Sequence, residues 1–345
     1  MLTPSKKKQS YPVLPPLRNY LAAYTREMSL PVDYDSLTHY SDNYPLLDRD
    51  GRDTLWRTVT FPPTEAREVF KGLRDIYALL RSSGDVNRMS HLAVSRVDYC
   101  EFGNTKPFRI RIVNLLNDNQ DYFYVKRADA SRIYGLELEH LLSPNRMHFY
   151  VWGDTLIEEH VVGLPGDQFM RDELGRPGFK EVRIAKEFVK FNERCSIRLL
   201  GDMRSYNYVV DITPDFEEVQ YRIRPMDFDQ QCYDGRRKFY LPQFFTENNP
   251  LIKFGFQHLD RTSVAQYESE ERSLIALRIK VERNRLGQLL EAMCAEPLAP
   301  PEKILQLRAE MAEFHQNPDF HFCRNMGEIL KKNMQMKIPE AQQLD

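Results

Sequence analysis

Between Pro63 and Arg81 the apolar residues Ala66, Val69, Phe70, Leu73, Ile76, Tyr77 and Leu80 recur three and four apart. That spacing gathers them on one face of an α-helix, with Thr64 placed to cap its start and Ser82-Ser83-Gly84-Asp85 to end it. From residue 91 the period shortens. Residues 91–102 form one strand-like run, Gly103-Asn104-Thr105-Lys106-Pro107 a turn, and residues 108–116 alternate Phe, Ile, Ile and Val with Arg and Asn. A second turn, Asn117-Asp118-Asn119-Gln120, leads into a third strand over residues 122–126. Three strands joined by turns this short predict an antiparallel meander. Helical spacing returns over residues 128–142 through Ile133, Leu136, Leu138, Leu141 and Leu142, and stops at Ser143-Pro144. Residues 148–152 and 155–162 read as two more strands around a Gly153-Asp154 turn.

Beyond Gly163-Leu164-Pro165-Gly166 the pattern is mostly helical to about residue 194, and a hairpin follows, out over residues 208–212 and back over 221–228. The last third is helical again, with residues 263–293 as one long helix, then 302–315 and 323–334. Residues 19–62 are mixed, and the first 18, with Pro4, Pro12, Pro15 and Pro16, read as a tail that is loose or wrapped on a surface. The order of elements predicts an α+β fold.

Composition narrows the function classes. A chain of 345 residues has room for two lobes or a catalytic domain with an appendage. Its 48 basic residues nearly cancel its 50 acidic ones, so no global positive field points to nucleic acid. Five cysteines without a C-x-x-C pair fit a reducing compartment better than a disulfide framework. Lys6-Lys7-Lys8 has no apolar run behind it, and no stretch approaches the roughly 20 apolar residues of a membrane span. These features read as a cytoplasmic, soluble protein with no membrane partner; the oligomeric state is not legible.

The most informative segment is Gly201-Asp202-Met203-Arg204-Ser205-Tyr206-Asn207, running into the hairpin, with Met226-Asp227-Phe228-Asp229 at its far end. Phosphoryl transfer from ATP needs a carboxylate to orient the acceptor hydroxyl, oxygen ligands for magnesium and a cation on the donor phosphates. An Asp-x-x-x-x-Asn loop supplies the first carboxylate and a neutral metal ligand, and a hairpin behind the Asn brings a second carboxylate, Asp227, back beside it. Taken alone, such a loop is more often an Asx turn than a catalytic one, and Lys126 alone is an ordinary strand-end lysine.

In this ordered set the chain resembles the protein-kinase-like superfamily, in particular its aminoglycoside- and choline-kinase-like branch. Gly201-Asp202, Asn207 and Asp227 match that branch's catalytic loop and metal-binding aspartate position by position. The resemblance, over about residues 91–260, implies Asp202 as the catalytic base or hydroxyl-orienting residue, and Asn207 and Asp227 as magnesium ligands. It implies that Lys126, ending the strand Phe123-Tyr124-Val125-Lys126, holds donor phosphates and is itself held by a glutamate of the next helix, Glu137 in preference to Glu139. Residues 155–161 take the place of the fifth strand and hinge, where backbone groups at Glu159 and Val161 would meet adenine. Leu200 replaces the usual histidine, Asp-Phe-Asp replaces Asp-Phe-Gly, and the first sheet turn has only Gly103 where a glycine-rich loop is usual.

The implied architecture is a bilobal protein-kinase-like fold: an N-terminal extension (1–90), a small antiparallel-sheet lobe with one helix (91–160) and a helical large lobe (161–345). The implied activity is ATP- and magnesium-dependent transfer to a hydroxyl of an unidentified acceptor, a small molecule in preference to a protein because no Ala-Pro-Glu motif follows. Asp229, Arg236, Arg237 and Lys238 are accessory candidates, the last three for an anionic acceptor or as a solvated turn. The alternatives are a catalytically inactive pseudokinase serving as an interaction module and a kinase-fold AMP transferase. Adjacent Glu158, Glu159 and His160 cannot all face one ion, His315 and His321 lack zinc-spaced partners, and no Walker sequence is present.

Overall fold

Strand formation begins well before residue 91. In the structure, a computed structural model describing residues 8–82, 89, 91–214 and 219–344, β1 (Asp42–Leu47) and β2 (Asp53–Thr60) form a hairpin on the edge of the main sheet. The hairpin escapes the alternation test because it buries little: Tyr44 and Leu47 are 52% and 54% exposed, and Pro45 interrupts β1, as edge strands tolerate. β3 (Leu92–Tyr99), β4 (Phe108–Asn114) and β5 (Gln120–Arg127) are the expected meander, and β6 (Phe149–Trp152) and β7 (Thr155–Glu159) complete an antiparallel sheet of order β1-β2-β3-β4-β5-β7-β6.

By its contacts the chain divides into two compact units, Met1–Asp129 with Met147–His160, and Ala130–Arg146 with Val161–Asp345. The first contains this sheet with α1 (Pro15–Ala23), α2 (Tyr34–Thr38) and α3 (Pro63–Ser82). Leu73, Ile76 and Leu80 of α3 join Phe108, Ile110, Ile112, Phe123 and Val125 of the sheet in one buried core. The register pairs Phe108 with Val125 and Ile110 with Phe123, so the two-residue strand period puts Arg109, Arg111, Tyr122, Tyr124 and Lys126 on the opposite face. α3 starts one residue before Thr64, which lies inside its first turn. The helix stop expected at Ser83-Gly84-Asp85, the tail residues Pro4, Lys6 and Lys7, and residues 215–218 of the hairpin turn lie outside the described residues.

The second unit begins with α4 (Ala130–Leu142) and continues through β8 (Leu164–Pro165), α5 (Gly166–Asp172), α6 (Glu181–Arg198), and the hairpin β9 (Tyr208–Pro214) and β10 (Val219–Pro225). α7 (Asn249–His258), α8 (Arg261–Val281), α9 (Arg283–Ala295), α10 (Pro301–His315) and α11 (Met326–Lys337) follow. α6 packs against α7, α8, α11 and β10, and α4 against α8 and α9. The single helix expected over 263–293 is two, because Glu282 leaves helical geometry at φ −100°, ψ 20°. Its amide still closes α8 on the Arg278 carbonyl, while its own carbonyl receives the Leu286 amide of α9. The last helix starts at Met326, later than expected, because Asn325 caps it by accepting the Glu328 amide at 3.0 Å. None of the five cysteines is in a disulfide. Among the described residues no helix is long and apolar enough to cross a membrane.

Candidate active site

α6 ends at Arg198, and the left-handed backbone of Leu199 (φ 52°) turns the chain out of the helix. The next residues are threaded along the segment that follows the hairpin. The Gly201 amide donates to the Gln230 carbonyl at 3.3 Å, the Asp202 amide to the Phe239 carbonyl at 3.1 Å, and the Cys232 amide to the Leu199 carbonyl at 2.9 Å. A Cβ on residue 201 would lie 3.1 Å from the Gln230 oxygen, so glycine suits this close approach.

Asp202 itself has φ +58°, a region that non-glycine residues enter at a cost and that recurs at functional sites. Its surroundings hold it there: the Asn207 side-chain Nδ2 donates to the Asp202 carbonyl at 2.7 Å and the Arg204 amide to the same oxygen at 2.8 Å. The Asp202 carboxylate accepts from Arg204 Nε at 2.9 Å, and Arg204 Nη1 also reaches Glu247 at 2.5 Å. Burial pushes the Asp202 carboxyl above its ordinary value; Arg204 opposes the shift, and the nearby charges of Asp227 and Glu247 add to it.

The hairpin does what its spacing predicts. Tyr208 pairs with Pro225, so the residues just beyond that pair meet, and the Asn207 carbonyl accepts the amides of Met226 and Asp227 at 3.0 and 3.3 Å. Asp202, Asn207, Asp227 and Asp229 therefore share one corner of the second unit. Asp227 Oδ1 accepts the Asp229 amide at 2.9 Å. It also receives Arg132 Nη1 at 2.8 Å, and the same nitrogen lies 2.8 Å from Asp229 Oδ1. Arg132 comes from α4, which is buried around almost its whole circumference. Gly135 allows the helix to lie against the aspartate segment, since a Cβ there would sit 2.8 Å from Phe228 Cβ.

The other charges of α4 are also engaged. Glu137 is paired with Arg285, whose Nε is 2.8 Å away. Glu139 is paired with Arg198 and receives the Ser143 hydroxyl at 2.6 Å. Lys126, in the first unit, is buried and ion-paired with Glu158 of β7, one strand over. Glu159 ends β7; its amide donates to the His148 carbonyl at 3.0 Å and its Oε1 accepts the His148 amide at 2.9 Å. Val161 opens the main segment of the second unit and is buried.

The basic triplet does not act as one patch. The Arg237 guanidinium stacks 4.0 Å over the Phe314 ring, while Arg236 and Lys238 are exposed. Burial lowers the Arg237 pKa, an effect the nearby Glu310 opposes.

Arg132, Arg204 and Glu247 are the site residues that sequence reasoning missed. Arg204 lies inside the quoted loop and was legible as a cation two residues from Asp202. Arg132 and Glu247 lie far along the chain from their partners, and no local pattern marks them. Among the described residues no group of three or more His, Cys, Asp and Glu side chains is arranged to hold a metal ion; a site here would draw on Asn207 as well as carboxylates. No protein-family model matches the chain, and no curated protein matches its sequence.

Proposed function

We propose that this protein is an ATP- and magnesium-dependent phosphotransferase with a bilobal protein-kinase-like fold, acting on a hydroxyl of a small molecule. The observation that carries the reading is the meeting of Asp202, Asn207 and Asp227 at one end of the β9–β10 hairpin, with Asp202 held in a left-handed backbone. Asp202 would orient the acceptor hydroxyl and receive its proton: desolvation makes it a stronger base than a free carboxylate, and Arg204 favours the ionised form. Magnesium takes oxygen donors, commonly one or two carboxylates completed by substrate phosphates and water. The Asn207 amide, whose nitrogen is committed to the Asp202 carbonyl, and the part-exposed Asp227 carboxylate fit such a set and would hold the ion. When bound, it would offset charge on the donor phosphates.

The test is a reaction of the protein with ATP, magnesium and a metabolite extract, read by mass spectrometry. A product heavier by phosphate is expected, and one carrying AMP would make the protein a nucleotidyl transferase. A thermal-shift titration accompanies it, because a ligand that binds only the folded state raises the melting temperature. No response to millimolar ATP with magnesium or manganese would overturn the reading. Asp202→Asn should abolish turnover and spare nucleotide binding, whereas Asp227→Asn should weaken metal-dependent binding; identical behaviour in both assays would refute this division of roles.

A further inference from the structure

We propose that Arg132 takes the place of one divalent cation in this site, so that Asn207 and Asp227 hold a single metal ion and Asp229 is reserved for the guanidinium. The inference rests on the phosphotransferase reading and specifies its metal stoichiometry. Arg132 Nη1 lies 2.8 Å from both Asp227 Oδ1 and Asp229 Oδ1, and Nη2 is 3.3 Å from the Met226 carbonyl. One nitrogen thus occupies the edge between the two carboxylates that a metal bridging them would need.

The charge is permanent, because a guanidinium does not deprotonate in proteins. It is also fixed in place. The Arg132 side chain is 3% exposed, and it projects from a helix that lies directly against Phe228 at Gly135. A second divalent ion would face this cation within a few ångströms in a partly buried setting, where like charges repel strongly. Exposure separates the two carboxylates in the same sense: the Asp227 side chain is 35% exposed, while that of Asp229 is 10% exposed.

Manganese binding to the full chain, counted by electron paramagnetic resonance in the presence of a non-hydrolysable ATP analogue, tests this without turnover. The wild type should bind one Mn2+. Arg132→Gln should bind two, or bind the second at least tenfold more tightly than the wild type does, while Arg132→Lys and Asp229→Asn should stay at one. Two ions in the wild type, or a count of one in Arg132→Gln that is folded by circular dichroism, would overturn the inference and leave the phosphotransferase reading standing. Should Arg132→Gln not fold, the wild-type count and Asp229→Asn decide: loss of Mn2+ from the latter would make Asp229 a ligand and refute the proposal. If the wild type binds neither Mn2+ nor the analogue, the phosphotransferase reading itself falls.

Discussion

Replacing Arg198 with Met removes one member of an ion pair almost closed to solvent, since the Arg198 and Glu139 side chains are each 1% exposed. Glu139 also receives the Ser143 hydroxyl at 2.6 Å and Asn145 Nδ2 at 3.2 Å, so its carboxylate is held where it is when the arginine is lost. A buried charge deprived of its partner costs about 3–5 kcal/mol, which for a unit of this size lowers the melting temperature by on the order of 10 °C. Arg198 is the last residue of α6, directly before the turn into Asp202, so the loss should be felt at the site.

The sign of the pH dependence follows from Glu139. Burial alone would raise its pKa, but the Arg198 charge and the hydrogen bonds from Ser143 and Arg198 outweigh it and leave it lowered, with Arg194 adding to the effect. In the wild type this carboxylate therefore stabilises the fold above its unfolded value near 4.5, and the contribution is lost as pH falls through the folded value. Without Arg198 burial dominates, the folded pKa rises, and protonation relieves the strain. The destabilisation of Arg198→Met should thus be largest near neutral pH and shrink towards pH 5. Urea unfolding followed by far-UV circular dichroism reads it, since α4 to α11 lie in the second unit; Trp56 and Trp152, the two tryptophans, report on the first. Adding Glu139→Gln should recover most of the loss, because the pair is then neutral and Arg198 Nη2, buried without a hydrogen-bond partner, is gone as well. A loss below about 1 kcal/mol, a loss independent of pH, or a double variant no better than the single one would refute this account.

Gly135→Ala should destabilise the second unit by about 1–3 kcal/mol and weaken metal-dependent nucleotide binding, because the new Cβ meets Phe228 Cβ at 2.8 Å and Gln231 Cβ at 3.2 Å; chemical denaturation and a thermal-shift titration check the two effects. Arg204→Gln removes the interactions that oppose the raised pKa of Asp202, so the acid limb of the pH–rate profile should move to higher pH, and an unmoved limb would exclude Asp202 as the titrating base. Arg236→Gln with Lys238→Gln should raise the KM of an anionic acceptor at low salt and less so at high salt. Arg237→Gln should instead lower stability by removing the stack on Phe314, which a melting curve reads.

What repeats locally can be read from the sequence alone. The apolar stripe of α3, the alternation in β4 and β5, the turn residues between them and the Asp202–Asn207 spacing are written in neighbouring residues, and the structure has these elements where the pattern puts them. The hairpin even determined that Asp227 returns beside Asn207, because antiparallel pairing of Tyr208 with Pro225 leaves no other place for it. Where burial is slight or contacts are distant, the local signal fades. β1 is an edge strand with little to bury, and only the docking of β2 on β3 makes the pair a hairpin of the main sheet. The break at Glu282 interrupts a stretch with helical spacing on both sides. Which distant cation meets which carboxylate of the second unit was decided by tertiary packing: Arg132 reaches across 95 residues to Asp227, Arg285 across 148 to Glu137, and Arg198 across 59 to Glu139. A buried charge must find a partner, but the sequence does not say which one, because that depends on where whole helices come to rest.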